Sequence, residues 1–257
     1  APHLFANARI RGSTGTTAMP DGNLSPSPAH MITCLMATAG LSGSVQLQPR
    51  IHLTSKEKHE AKEWQECIFI QSTALSAGRP NLLKEWGVDR WQTVVDALQS
   101  EYRLVQIGGP SDPLLKGAID LRGHTLGLRK VAAMLSQARL FLGLESGYMH
   151  LARGAGCPGV IVFGGRLSPD QAGYEGFLNI SRNPTCSPCW RYTGCEFDHQ
   201  CMHDITPAEV ITVTKNWLAA TKPPLPNMVI NLTNDEQQRI AKSLTSTGYT
   251  LNTKPAR

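Results

Sequence analysis

Short apolar runs alternate with amphipathic stretches from residue 67 onward. Apolar runs that predict strands lie at 67–71, 102–108 and 118–121 and at both ends of 141–165. Helices are predicted at 89–98 and 128–137, and the first has an apolar face formed by Trp91, Val94, Val95 and Leu98. Strands and helices alternating at this spacing indicate βαβ units. The pattern therefore predicts an α/β fold with a Rossmann-like parallel sheet and flanking helices.

The regions on either side of this pattern are less regular. Residues 1–30 are rich in Gly, Ser, Thr and Pro, and we expect them to form loop. Further helices are predicted at 29–40, 54–64, 207–218 and 233–244. The remaining connections are a stretch at 46–53 and a Pro-rich linker at 223–226.

The stretch from Phe141 to Gly165 predicts a strand, a glycine-containing turn, a helix and a second strand. Glu145, Ser146 and Gly147 lie where the first strand ends and the helix begins. The N–H groups at the start of a helix bind anions, and in doubly wound sheets this end lies on the ligand-binding edge. We therefore expect a ligand that contains a diphosphate.

Composition and charge narrow the function classes only a little. The chain has 257 residues, of which 41% are hydrophobic and 18% charged, as in ordinary soluble proteins. A net charge of +5 favours phosphorylated substrates or an anionic surface. Only 6% of the residues are aromatic, and no basic block is interleaved with them. We therefore predict no nucleic-acid binding.

The sequence shows no targeting signal. No apolar run of about 18 residues occurs, as a membrane-spanning helix requires. The N-terminal residues Ala-Pro-His-Leu-Phe lack the basic region and apolar core of a signal peptide. We expect a cytoplasmic protein, with peripheral association at the inner membrane as an alternative. Because the sequence does not begin with Met, we also expect a fragment or a processed form.

Four of the seven cysteines form a cluster near the C-terminal end of the regular pattern. They are Cys186, Cys189, Cys195 and Cys201. The spacing Cys-x2-Cys-x5-Cys-x5-Cys suits four thiolates around a tetrahedral metal, with His199 and His203 as substitutes. Disulfides or free thiols are the alternatives. We predict a structural zinc or iron site in a small finger at 184–204, because four protein ligands leave no open position for chemistry.

Five ordered elements resemble glycosyltransferase family 9, the bacterial heptosyltransferases. They are Lys84-Glu-Trp86 with Trp91 after Ile68-Phe-Ile, Gly108-Gly109 closing a strand, Leu121-Arg-Gly-His-Thr-Leu before a helix, Gly143-Leu-Glu-Ser-Gly-Tyr-Met-His-Leu-Ala with Pro158 and Val162-Phe-Gly, and Cys186-Ser-Pro-Cys189 with Asp204-Ile-Thr-Pro207. The resemblance covers residues 66–218.

This resemblance implies a GT-B architecture, with two Rossmann-like domains and the active site in the cleft between them. In that family the C-terminal domain holds the nucleotide-sugar, commonly ADP-heptose. The N-terminal domain supplies acceptor contacts and the carboxylate that acts as general base. Transfer inverts the anomeric centre without a catalytic metal. The four-cysteine finger resembles the iron-holding finger of heptosyltransferases that modify autotransporters.

Two features depart from the family. Its Asp-Ser/Thr-Gly is Glu145-Ser146-Gly147 here, so the carboxylate lies one methylene further from the backbone. Residues 3–54 resemble only the closing part of the N-terminal domain, so we expect the catalytic base on residues upstream of this sequence. The expected domains are an acceptor-domain remnant and crossover at 1–60, a donor-binding domain at 61–222, and a linker, helix and tail at 223–257.

Six residues are predicted to bind the nucleotide-sugar. They are Lys84, Gly109, Glu145, Ser146, Gly147 and His150. Gly147 allows close approach of a phosphate, and Lys84 suits the charge that develops on the leaving diphosphate. Glu145 suits sugar or ribose hydroxyls rather than phosphate. The alternatives are structural turns at the glycines, a packed or solvated His150 and a solvated Lys84.

The sequence therefore predicts a glycosyltransferase that moves heptose from a nucleoside-diphosphate sugar to a surface glycan or a protein acceptor. One alternative is a catalytically inactive nucleotide-sugar-binding or assembly module, since the expected base is missing. A second is an NAD-dependent oxidoreductase. It is disfavoured because neither glycine-rich turn has the dinucleotide spacing followed by an acidic residue about twenty positions later. An oligomer is compatible with the sequence.

Overall fold

The computed structural model describes residues 29–76, 79–124, 127–191, 194–220 and 229–246. The predicted loop up to residue 28 and the Pro-rich linker at 223–226 lie outside these ranges. The chain divides into two compact units, one formed by residues 1–47 with 229–257 and the other by residues 48–228. The functional division into acceptor remnant, donor domain and tail stays a prediction.

The described residues contain α-helices and short strands in alternation. The α-helices are α1 (Met31–Thr38), α2 (Ser55–Glu60), α3 (Val88–Leu98), α4 (Gly127–Gln137), α5 (Gly147–Ala155), α6 (Pro169–Ala172), α7 (Gln200–His203), α8 (Pro207–Ala219) and α9 (Asn234–Ser246). The strands are β1 (Gly43–Gln46), β2 (Ile68–Gln71), β3 (Leu75–Ser76), β4 (Arg79–Pro80), β5 (Leu104–Gln106), β6 (Ile119–Asp120), β7 (Leu140–Leu144), β8 (Gly159–Phe163), β9 (Phe177–Ser181) and β10 (Val229–Leu232). Single 3-10 turns lie at Lys62–Trp64 and Leu82–Lys84.

The larger unit is built on a parallel sheet with the strand order β6-β5-β2-β7-β8-β9 among the described residues. Counted along the chain within this sheet, that order is 3-2-1-4-5-6, the order of dinucleotide-binding doubly wound folds. The predicted α/β fold with a Rossmann-like parallel sheet is therefore confirmed. The direction of strand addition reverses between β2 and β7, which makes their carboxyl ends the switch point where such sheets bind ligands.

The central strands form the core because they are apolar on both faces. Every residue of β2, β7 and β8 is buried. Two-sided burial requires helices on both faces of the sheet, and continuous apolar runs are the sequence pattern that goes with it. On one face α3 contributes Trp91, Val94, Val95 and Leu98, all buried as the helical period predicted.

Local sequence sets the ends of α5, the helix that follows β7. Ser146 is extended and forms the N-cap, so the helix begins at Gly147. Gly156 adopts a left-handed conformation with φ of 81° and ends the helix. A residue with a side chain would be strained at that position, so glycine is the favoured helix terminator. The strand-turn-helix-strand arrangement predicted for 141–165 is confirmed.

The smaller unit pairs segments from the two ends of the chain. Strand β1 pairs antiparallel with β10, Gly43 lying opposite Leu232. Helices α1 and α9 pack on this ribbon, and its core is Cys34, Ala37, Val45, Leu47, Leu232 and Ile240. The two helices were predicted and the two strands were not. Each strand has one fully buried position, too few to produce a recognisable alternation.

None of the helices in the described part of the chain has the length and apolarity that crossing a bilayer requires.

Candidate functional site

A cavity of about 500 Å³ opens at the carboxyl edge of the parallel sheet, and we name it the edge cavity. Its lining residues come from the ends of β2, β5 and β7, from α5, and from the segments before α2 and at the start of α4. They are Ile51, Gln71, Thr73, Gly108, Gly109, Asp112, Leu128, Ser146, Gly147, Tyr148, His150 and Leu151. The cavity therefore lies at the topological switch point between β2 and β7.

The start of α5 faces the edge cavity without a side-chain cap. Ser146 occupies the N-cap, but no N–H of the first turn donates to its side chain. Its hydroxyl instead donates to Gln71 Oε1 at the end of β2, over 2.8 Å. The first N–H groups of a helix have no partner within the helix. An uncapped helix start that faces a cavity is suited to an anionic ligand.

A second polar group at the switch point has no protein partner within the described part of the chain. Thr73 lies two residues beyond β2, and its hydroxyl oxygen is buried. Within the described ranges this oxygen has no hydrogen-bond partner. Buried polar atoms in folded proteins are nearly always hydrogen-bonded, to protein or to bound molecules. The Thr73 hydroxyl therefore marks a position where a ligand is expected to bond.

The end of β5 places a carboxylate beside the edge cavity. The N–H of Gly109 donates to Asp112 Oδ2 over 2.8 Å. Gly108 has φ of 155°, and a side chain there would collide with the Asp112 carboxylate. Burial, with a smaller contribution from the Asp112 charge, raises the pKa of Tyr148, which also lines the cavity. Asp112 thus gives the cavity a fixed acceptor for hydroxyl groups.

Lys84 and Glu145 form a buried ion pair next to the edge cavity but are not among its lining residues. Lys84 Nζ contacts the Glu145 carboxylate and also donates to the Glu145 carbonyl over 3.4 Å. The two side chains are only 11% and 8% exposed. Removing one partner of such a pair leaves an uncompensated buried charge. The pair therefore ties the 3-10 turn ending at Lys84 to the turn between β7 and α5.

Glu85, the next residue, is a half-buried acid whose pKa is altered. Burial raises its pKa to about 7, and the nearby Asp112 charge acts in the same direction. One carboxylate oxygen accepts from the N–H of Ala74 over 2.7 Å, which acts in the opposite direction. Glu85 is therefore protonated over much of the pH range in which other glutamates are charged.

His150 lies on the first turns of α5 and lines the edge cavity. Its Nδ1 is 2.6 Å from the hydroxyl of Tyr174, and the two rings meet edge to face with centroids 5.6 Å apart. Tyr174 is buried in the loop after α6. The orientation of the imidazole is therefore defined by a residue from a different element.

The cysteine segment, residues 184–204, packs against the loop after β8. The N–H of Cys189 and the hydroxyl of Ser187 both donate to the carbonyl of Gly165, over 2.8 Å and 3.1 Å. Arg90 on α3 donates to the carbonyls of Met202, His203 and Ile205, and the indole of Trp86 also donates to Ile205. These contacts anchor the segment near the turn that carries Lys84.

All four clustered cysteines carry free thiols and line one cavity of about 260 Å³. Burial raises the pKa of Cys201, and the charges of the other three act in the same direction, which shows that the four lie near one another. Within the described ranges, however, no three His, Cys, Asp or Glu side chains are arranged to hold a metal ion. The metal finger predicted from the sequence is not shown by this structure and stays a prediction.

The structure brings the predicted donor residues to one edge of the sheet. Gly109, Ser146, Gly147 and His150 line the edge cavity, and Lys84 and Glu145 form the ion pair beside it. Their roles in binding stay predictions.

Sequence reasoning missed further polar residues of the cavity. Gln71 and Thr73 follow an apolar run directly, and polar residues in that position are the signal that could have indicated them. Tyr148 lies in the stretch that predicts the turn and helix after β7, and Asp112 follows the Gly108-Gly109 turn, but neither pattern assigns a role to these side chains. Tyr174 lies in no recognised pattern.

Comparison with known proteins identifies the family and the fold. The model of glycosyltransferase family 9 (heptosyltransferase) matches residues 35–199, which is more than half of the chain. No curated protein is similar enough in sequence to count as a match.

Three solved structures share the fold. The iron-containing dodecameric glycosyltransferase TibC of enterotoxigenic E. coli H10407 has 22% identity and a TM-score of 0.51, over 67% of this chain and 48% of its own. TibC in complex with ADP-D-beta-D-heptose has 22% identity and a TM-score of 0.50, over 66% and 46%. ADP-heptose LPS heptosyltransferase II of E. coli has 19% identity and a TM-score of 0.51, over 66% and 53%. The chain thus spans about half the length of each.

Proposed function

The chain belongs to glycosyltransferase family 9, the heptosyltransferase family, and we propose that it forms the donor-binding half of such a transferase. In this proposal the edge cavity binds a nucleoside-diphosphate sugar, ADP-heptose, and the sugar passes to a surface glycan or a protein acceptor. The acceptor domain completes the active site across the cavity.

One observation carries the proposal: the uncapped start of α5 faces a cavity at the switch point of a Rossmann-like sheet. The N–H groups there, with the helix dipole, stabilise negative charge. Gly147 is exposed, and a side chain added to it would meet no atom within 4 Å, so a phosphate has room to approach the backbone. The buried Thr73 hydroxyl supplies a further donor.

The rest of the edge cavity suits the other parts of a nucleotide-sugar. Asp112 offers an acceptor for ribose or sugar hydroxyls, and the carboxylate of Glu145 lies close to the same region. Ile51, Leu128 and Leu151 form an apolar part that suits the flat face of a nucleobase. A site of mainly apolar walls with a few placed polar groups is typical for such ligands.

The proposed reaction needs stabilisation of the leaving group. The acceptor hydroxyl oxygen bonds to the anomeric carbon as the bond from that carbon to the β-phosphate oxygen breaks. The hydroxyl proton passes to a base, which the family resemblance places on the other domain, and the electron pair leaves with the nucleoside diphosphate. The α5 N–H groups, His150 and the charge of Lys84 lie on the side where that negative charge develops, which is where preorganised donors lower the barrier.

The solved structures support this choice of donor. One of them, TibC, was solved with ADP-D-beta-D-heptose, and another is an ADP-heptose LPS heptosyltransferase. We therefore propose ADP-heptose as donor and a lipopolysaccharide core sugar, another surface glycan or a protein hydroxyl as acceptor. A cytoplasmic location, peripheral contact with the inner membrane and an oligomer are part of the same proposal; TibC is dodecameric.

Calorimetric titration of the chain tests the donor proposal. ADP and ADP-heptose are expected to bind saturably, with GDP, UDP and NAD as competitors of lower affinity. Two substitutions at one position serve as a matched pair. Gly147→Asp is expected to abolish ADP binding, because a carboxylate would then lie where the phosphate binds, whereas Gly147→Ala is expected to weaken it about tenfold or less. Equal binding by wild type and Gly147→Asp would contradict the proposal.

We further propose that the cysteine segment binds a structural metal ion. Support comes from the four free thiols around one cavity and from His199, which lines that cavity and whose buried Nε2 has no hydrogen-bond partner in the described ranges. Soft thiolate ligands favour zinc or iron, and TibC is iron-containing.

Metal analysis of purified protein is expected to find one ion per chain. Cys201→Ser is expected to lose it, and Cys157→Ser, a buried cysteine elsewhere, to retain it; equal metal content in both would refute the site.

A further inference from the structure

Ser146 occupies the N-cap of α5, but its hydroxyl does not cap the helix. A serine in this position usually accepts a hydrogen bond from the N–H group two or three residues later. For α5 those groups belong to Tyr148 and Met149. The Ser146 hydroxyl instead donates to Gln71 Oε1 over 2.8 Å. A local capping bond is therefore replaced by a contact with a residue of β2.

Two other helices of the larger unit are capped by a hydroxyl group in the ordinary way. At α2 the N–H of Glu57 donates to Thr54 Oγ1, and at α8 the N–H of Glu209 donates to Thr206 Oγ1, each over 3.2 Å. Both of these bonds are exposed to solvent. At α5, by contrast, Ser146 and its partner on β2 are only 7% and 4% exposed. The missing cap at α5 thus coincides with a buried polar contact beside the edge cavity.

The parallel sheet sets the position of Gln71. It is the last residue of β2 and lies opposite Gly143 of β7 in the strand register. Ser146 follows β7 by two residues, so neighbouring strands carry both ends of the contact. A buried amide without a hydrogen bond is costly, which favours keeping the Ser146 hydroxyl beside Gln71. The contact fixes the hydroxyl oxygen away from α5 and would do so with donor and acceptor exchanged.

A hydroxyl that capped α5 would occupy an N–H group that an anionic ligand needs. The first N–H groups of a helix have no partner within the helix, and with the helix dipole they bind anions. If a side chain already caps one of them, that bond must break before an anion can bind there. With the hydroxyl held aside, the start of α5 stays open at Gly147, which is exposed and lines the edge cavity.

We propose that Gln71 is a positioning residue of the donor site: it holds the Ser146 hydroxyl away from the start of α5, so that the first-turn N–H groups stay open for the diphosphate. This inference rests on the proposed function of the edge cavity. Gln71 lies in none of the stretches that carry the family resemblance. The role implies opposite effects of one substitution, because losing the Gln71 amide caps α5 and at the same time weakens binding of the diphosphate.

The test measures helix capping and ADP binding in the same variant. Gln71→Met keeps the length of the side chain and removes the amide, so the Ser146 hydroxyl is expected to accept from Tyr148 or Met149. Hydrogen exchange of that amide, followed by NMR without ligand, is expected to slow about 3- to 10-fold, and ADP affinity in calorimetry is expected to fall by a similar factor. Thr206→Ala removes the existing cap of α8 and serves as control: it is expected to speed exchange at Glu209 without changing ADP affinity.

A double-mutant cycle separates positioning from direct contact, because Gln71 itself lines the edge cavity. Ser146→Ala has no hydroxyl that could cap α5, so adding Gln71→Met in that background is expected to weaken ADP binding no further. An equal loss in both backgrounds, or unchanged exchange at Tyr148 and Met149 in Gln71→Met, would overturn the inference while leaving the donor site intact. Failure of the wild type to bind ADP would instead count against the proposed function, and exchange at the two amides would still show whether Gln71 holds the hydroxyl aside.

Discussion

The edge cavity and the cysteine segment differ in how their side chains are held in place. At the edge cavity, polar groups are fixed by one another: Ser146 by Gln71, His150 by Tyr174 and Lys84 by Glu145. In the cysteine segment the backbone is anchored through Gly165 and Arg90, but the four thiols surround a cavity without bonding to each other. Strand ends and helix starts thus position their side chains through contacts within the protein, whereas the four thiols of the cysteine segment make no bond to one another.

The edge cavity and the cysteine segment also differ in how far the parallel sheet positions their residues. Residues at the carboxyl ends of β2, β5 and β7 are positioned by these buried strands, which are held in place by the burial of their apolar side chains. Among the described residues of 184–204 there is one short helix, α7, and the buried apolar side chains are chiefly Trp190 and Met202. The segment therefore has little burial of its own to define the thiol geometry.

The largest effect is expected from disrupting the buried ion pair between Lys84 and Glu145 beside the edge cavity. Lys84→Met leaves the Glu145 carboxylate buried without its partner, which is expected to lower the free energy of unfolding by about 3–5 kcal/mol. It is also expected to weaken ADP binding more than tenfold, because a buried negative charge then faces the diphosphate. Urea denaturation and calorimetry measure the two effects.

Two variants control this prediction. Lys56→Met removes a lysine from a surface pair whose side chains are 84% and 63% exposed, and little change in stability is expected. Lys84→Met with Glu145→Gln removes both charges and is expected to recover most of the stability but not the ADP affinity. Full recovery of affinity would show that Lys84 acts only by neutralising Glu145.

An intermediate effect is expected in the cysteine segment, at the metal site that we propose there. Removing metal with a chelator is expected to speed amide hydrogen exchange in residues 186–203, because the thiols lose their shared partner. Exchange in β2 and β7 is expected to stay unchanged, since those strands are held by the sheet. Exchange is measured by mass spectrometry. Equal protection of residues 186–203 before and after chelation would contradict the expected difference between the cysteine segment and the edge cavity.

The smallest effect is expected on the pH dependence of stability, through the raised pKa of Glu85. Burial raises its pKa to about 7 from an ordinary value of 4.5. Between those values the folded protein retains a proton that the unfolded chain has released, so the stability contributed by this group falls as pH rises. Glu85→Gln has no such proton. Relative to wild type, its melting temperature is therefore expected to rise as the pH increases through this window, and a constant difference would contradict the altered pKa.

The sequence predicts a feature when the residues that form it are neighbours along the chain. The strand-turn-helix arrangement around Glu145, Ser146 and Gly147 was predictable because apolar runs and a glycine turn are neighbours in the chain. The Lys84–Glu145 pair joins residues 61 positions apart, and the Tyr174–His150 contact joins residues 24 apart. Neither spacing corresponds to one helix face or one strand, so no periodicity indicates them.

The same reasoning explains what was missed in the smaller unit and the cysteine segment. Strands β1 and β10 pair from opposite ends of the chain, and only the folded state brings them together. The four clustered cysteines line one cavity, and the metal site that their spacing predicts stays a prediction. Spacing cannot supply their coordination geometry, because that depends on side-chain torsions which the metal itself would select.

The most direct test of the account is the structure of this chain in complex with ADP. We expect the diphosphate in the edge cavity, with phosphate oxygens within about 3 Å of N–H groups in the first turn of α5 and of the Thr73 hydroxyl. The ribose is predicted beside Asp112. A nucleotide bound elsewhere on the chain, or in the edge cavity with its diphosphate turned away from α5, would contradict the central claim.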